Sequence, residues 1–264
     1  AVGMVRLKLT LAYDGTNFKG WQLQKDDPTI QGALEAAVAR IIGVQARVQG
    51  AGRTDTGVHA LGQVAHVDIP DHKLSSVPWQ RALNCLLPDS VSVLAVEPVS
   101  RDFHARFGAV SKTYAYTLWT TRAFVHPQRR KYVWDCGPLD AAAMDAAAPH
   151  FLGTHDFKSF MNTGTPVRHT VRTVTSLERR PGLTEHEVVW RIEADGFLKQ
   201  MVRNVMGLLV EIGRGKADPA SVRTILEGRD RTLAPATAPA RGLCLERVIY
   251  GDVHERGPED DPGD

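Results

Sequence analysis

Two kinds of hydrophobic periodicity alternate along this chain, and their alternation limits its possible folds more than any other feature. Residues 5–11 place an apolar side chain at every second position, the pattern of a strand with one buried face. Residues 30–42 repeat apolar positions at helical spacing between Thr29 and Gly43, which are typical residues for the start and end of a helix. A strand pattern at residues 112–119 opens a second half in which strands and helices follow in a similar order.

The remaining patterns extend this alternation and predict the fold class. Strand patterns follow at residues 63–69, 91–98, 171–178, 187–195 and 245–250, and helix patterns at residues 77–87, 139–152, 197–213 and 219–227. We expect an α+β fold of two similarly built halves, each a mainly antiparallel sheet with helices packed on one face, ferredoxin-like or RNA-recognition-like. We place the halves at residues 1–108 and 109–253, and we expect an acidic, disordered tail at residues 254–264.

Composition excludes several classes of protein. The 264 residues are 43% hydrophobic and 23% charged, which is ordinary for a globular chain and excludes a wholly disordered one. No segment has the roughly 18 consecutive apolar residues of a membrane span, and no signal-peptide pattern is evident. Three widely separated cysteines without a CxxC pair favour reduced thiols, so we expect a cytoplasmic protein. The ten histidines form no known ligand motif, and we expect no bound metal.

Positive charge is concentrated in one segment of the chain. The formal net charge is only +2, but five acids and one base lie between Glu255 and Asp264, which leaves +6 on the rest. Residues 101–131 carry seven bases, one acid and six aromatic side chains. Bases interleaved with aromatics suit phosphate contacts and base stacking by an RNA-binding surface. A strand edge whose aromatic side chains face the core would have the same composition, so both interpretations stay open.

The densest group of reactive residue types lies at residues 50–60, Gly-Ala-Gly-Arg-Thr-Asp-Thr-Gly-Val-His-Ala. Its glycines permit a tight loop that brings backbone close to a ligand, and Asp55 is a candidate reactive carboxylate. No Gly-Lys-Ser/Thr follows, which excludes a P-loop, and the third glycine of a dinucleotide-binding loop is missing. From these residues alone, a turn in which Arg53 and Asp55 form a surface ion pair is the more common explanation.

Eight short segments of the chain occur in the order found in a known family. They are residues 13–24 (YDGTNFKGWQLQ), 29–31 (TIQ), 52–60 (GRTDTGVHA), 103–107 (FHARF), 112–116 (KTYAY), 156–160 (DFKSF), 197–204 (FLKQMVRN) and 242–245 (GLCL). Together they resemble the motifs of the tRNA pseudouridine synthase A (TruA) family. Each segment is weakly specific alone, but eight in one order are highly specific. The resemblance runs from about Leu7 to Tyr250 and leaves the acidic tail outside.

The resemblance implies a pseudouridine synthase fold and a reaction. Members of the family isomerise uridine to pseudouridine at positions 38, 39 and 40 in the anticodon stem-loop of tRNA. The reaction breaks the N1–C1′ glycosidic bond and joins C5 to C1′, and it needs no cofactor, ATP or metal. The resemblance also implies a homodimer in which one tRNA contacts both subunits.

The family pattern assigns three catalytic residues. It makes Asp55 the catalytic aspartate, Tyr114 the active-site tyrosine and Arg203 the basic residue that pairs with the aspartate. Tyr116 shares a strand face with Tyr114, so spacing alone does not separate them, and we expect Tyr116 to be a core aromatic. Arg203 lies opposite the apolar stripe of its predicted helix. The resemblance implies that this face of the helix lines the active site.

Three further bases are expected to bind the substrate. Arg53 matches the arginine of the family's catalytic motif and would assist extrusion of the stacked target base. Arg106 and Lys112 lie in the basic and aromatic segment at residues 101–131, which would then follow the tRNA backbone.

Two other functions are compatible with the residues themselves. A non-catalytic RNA-binding module would share the basic segment but would not need Asp55. A glycoside or nucleoside hydrolase would use paired carboxylates. The loop that carries Asp55 contains no second carboxylate. The nearest other carboxylate in the sequence is that of Asp68, on the following strand.

Overall fold

The computed structural model describes residues 2–251, in which strands and helices alternate. The strands are β1 (Met4–Tyr13), β2 (Gln49–Gly50), β3 (His59–Pro70), β4 (Val91–Val99), β5 (Ala109–Trp119), β6 (Trp134–Asp135), β7 (Gly153–Asp156), β8 (Val171–Pro181), β9 (Glu187–Ala194) and β10 (Leu243–Tyr250). The helices are α1 (Ile30–Ile42), α2 (Trp79–Leu86), α3 (Ala141–Ala147), α4 (Met201–Gly213) and α5 (Ser221–Gly228). The expected α+β class is confirmed. The tail predicted at residues 254–264 lies outside the described residues.

The described chain divides into two compact units. Unit 1 consists of residues 2–110 and 245–251, and unit 2 consists of residues 111–244. The sequence patterns placed the last strand in the second half, whereas most of β10 belongs to unit 1. Hydrophobic periodicity identifies a strand but carries no information on which sheet the strand joins.

Unit 1 is built on strands in the order β4-β1-β3-β10, with β2 paired to β3. β1 runs antiparallel to both β3 and β4. The alternation that predicted β1 buries Leu7, Leu9 and Leu11 completely on one face of it. Gly62 lets β10 lie against β3, since a Cβ at Gly62 would be 2.2 Å from the carbonyl oxygen of Glu246. α2 packs against β4 and α1.

Unit 2 is built on strands in the order β5-β9-β8-β7, and all three of these pairings are antiparallel. The two-residue strand β6 lies parallel to the end of β5. Trp119 on β5 and Trp190 on β9 are among the largest fully buried side chains, so the core of this unit lies along these central strands. α4 packs against α3.

The bounds of α1 agree with the sequence prediction because both of its ends are fixed by local chemistry. The side chain of Thr29 accepts a hydrogen bond from the backbone nitrogen of Gly32 at 3.1 Å. Gly43 has a φ of 82°, and its nitrogen donates to the carbonyl oxygen of Ala39 at 2.8 Å.

The predicted bounds of α4 are wrong at its start. The helix begins at Met201 and not at Phe197, because Gln200 has a φ of 59° and this left-handed conformation cannot continue a right-handed helix. Within α4 only Arg203 and Glu211 keep part of their surface exposed, since the helix is covered by neighbours on most sides.

Three short strands, β2, β6 and β7, were not predicted. Each has two to four residues and exists through pairing with β3, β5 or β8 respectively, which a local hydrophobic pattern does not encode. Among residues 2–251, the structure contains no helix long and apolar enough to cross a membrane.

Candidate active site

The loop that carries Asp55 connects β2 to β3 in unit 1. It closes through a turn in which the nitrogen of Val58 donates to the carbonyl oxygen of Asp55 at 3.1 Å, and Gly57 takes the left-handed conformation with a φ of 82°. The exposure of the side chains alternates here: Arg53 is exposed, Thr54 is buried and Asp55 is partly exposed. The loop therefore presents a carboxylate from a backbone that is itself anchored.

Thr54 is the anchor next to Asp55. Its hydroxyl shares a hydrogen bond of 2.8 Å with the hydroxyl of Tyr13, and its carbonyl oxygen accepts from the nitrogen of Trp21 at 3.0 Å. The fully buried side-chain amide of Gln63 donates to the carbonyl oxygen of Gly52 at 2.9 Å. Buried polar groups that are hydrogen-bonded in this way hold a backbone in one conformation.

Two glycines of the 13–24 segment allow that segment to touch the loop. A Cβ at Gly20 would lie 2.5 Å from the carbonyl oxygen of Thr54, and Gly20 also has a φ of 84°. A Cβ at Gly15 would lie 2.0 Å from the carbonyl oxygen of Val58. The nitrogen of Gly15 donates to Nδ1 of His59 at 3.0 Å. The segment resembling the family's opening motif therefore acts as the support of the candidate catalytic loop.

Arg106 lies in unit 1, in a segment held to the sheet by side chains of β1, β3 and β10. Arg6 donates to both carboxylate oxygens of Asp68, at 2.8 and 2.9 Å, and to the carbonyl oxygen of Phe103 at 2.7 Å. The hydrogen bond from Arg6 holds the pKa of the Asp68 carboxyl below its usual range. The hydroxyl of Tyr250 donates to the carbonyl oxygen of Ala105. Asp68 thus has a structural partner, which argues against its use as the second carboxylate of a hydrolase.

His66 holds the same segment from β3. Its Nδ1 accepts a hydrogen bond from the backbone nitrogen of Ala105 at 3.0 Å. Nδ1 of His66 must therefore carry no proton. Burial, with smaller contributions from Arg6 and His104, lowers the pKa of His66 to about 4. The side chain of Arg106 is half-buried beside this anchored turn, with its guanidinium over the ring of Phe107 at 5.8 Å from the centroid.

His66 makes the stability of the protein depend on pH. The folded state keeps the imidazole neutral down to about pH 4, while the unfolded chain binds a proton near pH 6.5. The unfolded state therefore binds more protons between these values, and the free energy of unfolding falls as the pH is lowered through this window. The loss amounts to at most about 3 kcal/mol.

Urea unfolding at pH 7, 5.5 and 4.5 tests this expectation. His66→Gln should flatten the dependence on pH, because the amide does not titrate. His72→Gln is the matched control, since His72 is an exposed histidine of the same unit. An unchanged slope in His66→Gln would show that other groups cause the acid sensitivity.

Tyr114 and Lys112 lie on one face of β5 in unit 2, and both are buried. The ring of Tyr114 meets the ring of Phe197 edge to face, with centroids 5.1 Å apart. Tyr116, two residues further, donates its hydroxyl to the carbonyl oxygen of Pro239 at 2.6 Å, and burial raises its pKa above the ordinary value. Tyr116 is therefore a core residue, as expected.

The aromatic side chains of residues 101–131 largely follow the alternative in which they face the core. Phe103, Tyr116 and Trp119 are buried, whereas contact of the bases of this segment with an RNA backbone stays a prediction. Phe124 is the aromatic of this segment with a large exposed fraction, 45%. A strand buried on both faces cannot present its side chains as a continuous surface, and composition alone does not distinguish that case.

Arg203 lies in the first turn of α4 in unit 2 and is partly exposed. Its Nε donates to the carbonyl oxygen of Ala238 at 2.8 Å, and the nitrogen of Ala238 donates to the carbonyl oxygen of Arg203 at 3.1 Å. Gly207, on the same side of the helix, leaves room for this loop, since a Cβ there would be 2.4 Å from the carbonyl oxygen of Ala236. Residues 236–238 of the chain itself therefore lie close against this side of α4.

The predicted site residues divide between the two units. Arg53, Asp55 and Arg106 belong to unit 1, and the remaining three, Lys112, Tyr114 and Arg203, belong to unit 2. Sequence reasoning did not identify Tyr13 and Gln63, which fix the loop of Asp55; the only signal was the position of Tyr13 at the start of a family-like segment. In the described part of the chain, no group of three or more His, Cys, Asp or Glu residues could hold a metal ion.

Comparison with known proteins defines the class of this chain. A family model described as tRNA pseudouridine synthase matches residues 10–108 and 147–251. The chain therefore belongs to the tRNA pseudouridine synthase family, and the enzyme class is that of isomerases that convert uridine to pseudouridine in tRNA.

Individual relatives indicate which tRNA pseudouridine synthases this chain is similar to. The tRNA pseudouridine synthase A of Maridesulfovibrio salexigens is 57% identical over 257 residues, which cover 97% of this chain and 94% of the relative. The protein of the same name from Geobacillus kaustophilus is 44% identical and covers 94% of this chain and 95% of its own length. A chain in the solved structure of a Cbf5-Nop10-Gar1 complex matches with a TM-score of 0.35 and 11% identity, over 90% of this chain and 57% of that chain. A likeness at that score carries no functional weight.

Proposed function

We propose that this chain forms pseudouridine at positions 38, 39 and 40 in the anticodon stem-loop of tRNA, with Asp55 as the reacting carboxylate. The observation that carries the proposal is the setting of Asp55. It is a partly exposed carboxylate between a buried, hydrogen-bonded Thr54 and a closed turn. Support for these positions comes from the name that relatives of this chain share and from the family motifs around this residue.

The chemistry needs little beyond a carboxylate and a closed site. The N1–C1′ bond breaks, the uracil turns, and the C5–C1′ bond forms; C5 then loses its proton and N1 gains one, so atoms and electrons balance without a cofactor. A carboxylate can attack C1′, add to C6 of the ring, or remove a sugar proton. All three routes use Asp55, so each predicts a large loss of turnover when it is removed.

The other residues have supporting roles in this proposal. Tyr114 packs against the target base, and its hydroxyl takes part in proton transfer. Arg203 is the basic group that the family pattern pairs with the catalytic carboxylate. The exposed Arg53 assists extrusion of the base from its stem, a step that requires a few kcal/mol.

Arg106 and Lys112 differ in what they can contact. Arg106 keeps part of its surface exposed beside an anchored turn and suits a phosphate of the RNA backbone. Lys112 is buried on the face of β5 that carries Tyr114, so it can contact only a substrate group that enters beside that ring. We further propose that the chain works as a homodimer in the cytoplasm, where its tRNA substrate is found.

An unmodified tRNA transcript tests the function directly. The purified protein should convert uridine to pseudouridine at positions 38, 39 and 40. Three transcripts, each with uridine at only one of these positions, separate the three activities. Release of free uracil would instead show a hydrolase, and binding without either product would show an RNA-binding module. A transcript with cytidine at all three positions is the control that excludes modification elsewhere.

A further inference from the structure

A polar cluster inside unit 2 joins the first turn of α4 to the loop at residues 234–239. Its members are Asn162, Asn204, Arg231 and Thr237. Asn204 is fully buried, and its side-chain nitrogen donates to Oδ1 of Asn162 at 3.0 Å. The hydroxyl of Thr237 donates to Oδ1 of Asn204 at 2.7 Å. The cluster therefore holds the loop against the helix through side-chain hydrogen bonds around the buried Asn204.

Arg231 is the centre of this cluster. A guanidinium has five N–H donors in a fixed planar arrangement. The acceptors around Arg231 are all oxygens of unit 2: Asn162 Oδ1 at 2.7 Å, the carbonyl oxygens of Ala234 at 3.1 Å and Pro235 at 3.0 Å, Asn204 Oδ1 at 3.0 Å, and Thr237 Oγ1 at 3.2 Å. The number of acceptors equals the number of donors, so this arginine is committed to the protein and not to an RNA phosphate.

The loop that Arg231 fixes is the loop that contacts Arg203. Nε of Arg203 donates to the carbonyl oxygen of Ala238, and the nitrogen of Ala238 donates back to the carbonyl oxygen of Arg203. Arg203 and Asn204 are adjacent on α4, so the helix is hydrogen-bonded to the loop at two neighbouring residues. A hydrogen bond at Nε fixes the plane of the guanidinium, because Nε–H lies in that plane.

We propose that Arg231 is a positioning residue for Arg203. Arg231 fixes the loop at residues 234–239, and the carbonyl oxygen of Ala238 in this loop orients the guanidinium of Arg203. This inference rests on the proposed catalytic role of Arg203. Misplacement of a catalytic group by as little as about 1 Å lowers turnover about a hundredfold, so a residue with no substrate contact can have a large effect.

Arg231→Lys tests the inference, because lysine keeps the positive charge but has three donors and no planar fork. We expect kcat on tRNA to fall about tenfold to a hundredfold while KM and tRNA affinity stay within about twofold. Arg223→Lys is the matched control, an exposed arginine on α5 that should change neither constant. Thr237→Val is a milder variant that removes one acceptor and should lower kcat by less, and it replaces Arg231→Lys if that variant does not fold.

A double-mutant cycle with Arg203→Lys separates positioning from a general loss of stability. If Arg231 acts through Arg203, its substitution should have little further effect on kcat once Arg203 has been replaced. Independent losses that multiply would overturn the inference, as would full activity of both Arg231→Lys and Thr237→Val. An Arg203→Lys single variant with unchanged turnover would instead contradict the proposed catalytic role of Arg203, so the two failures are distinguishable.

Discussion

Asp55→Asn and Asp55→Ala will abolish pseudouridine formation while the variants still bind tRNA. The side chain is partly exposed, whereas the conformation of its loop is fixed by Thr54, Tyr13 and Gln63, so the fold should tolerate both substitutions. A positioned general base contributes about 10²- to 10⁴-fold to a rate, so we expect turnover to fall by at least about a hundredfold. If the carboxylate is a nucleophile, no covalent route remains and the loss will be complete.

Single-turnover formation of pseudouridine and the equilibrium affinity for tRNA should be measured side by side. Asp89→Asn, which removes an exposed carboxylate of the same unit, serves as the control and should behave as the unsubstituted protein. A fall of less than about tenfold in the rate of pseudouridine formation by Asp55→Ala would remove Asp55 from the catalytic role. A parallel loss of affinity would mean that the residue acts in binding.

Arg203→Ala will lower kcat far more than it weakens tRNA binding. Its Nε is already bound to the carbonyl oxygen of Ala238, which orients the guanidinium before any substrate arrives. Loss of one preorganised charged donor from an active site lowers turnover by about 10²- to 10³-fold. Arg203→Lys should recover only part of this loss, since an ammonium cannot keep both the bond to Ala238 and the orientation of a planar group.

The comparison of kcat with affinity decides between two roles for Arg203. A phosphate contact would lower affinity and kcat/KM together and would reduce the dependence of binding on salt concentration. A catalytic role leaves the salt dependence unchanged. Arg223→Ala provides the reference for removing an exposed cation from a neighbouring helix.

Features determined by neighbouring residues could be predicted from the sequence. α1 is the clearest case, since Thr29 and Gly43 end it through hydrogen bonds to residues three or four positions away. The position of Asp55 in a glycine-rich loop before a strand was likewise readable, and the family resemblance gave it a role. The start of α4 was not, because the left-handed conformation of Gln200 has no signal in a pattern of apolar residues.

Features determined by distant residues could not be predicted. The supports of the Asp55 loop come from Tyr13 on β1 and Gln63 on β3, and their hydrogen bonds exist only once these strands are side by side. The cluster around Arg231 similarly joins side chains separated by up to 75 positions in the chain. Periodicity places residues on faces of helices and strands, but it does not specify which faces meet.

The membership of β10 in unit 1 has a consequence for how the protein is made. A ribosome synthesises residues 111–244 before it reaches most of β10, so unit 2 can fold while the sheet of unit 1 still lacks its strand next to β3. During that interval part of one edge of β3 is unpaired, a state that invites pairing with other chains. The loop of Asp55 leads directly into β3, so the unit that carries the candidate reacting carboxylate completes its sheet only after unit 2 has been synthesised.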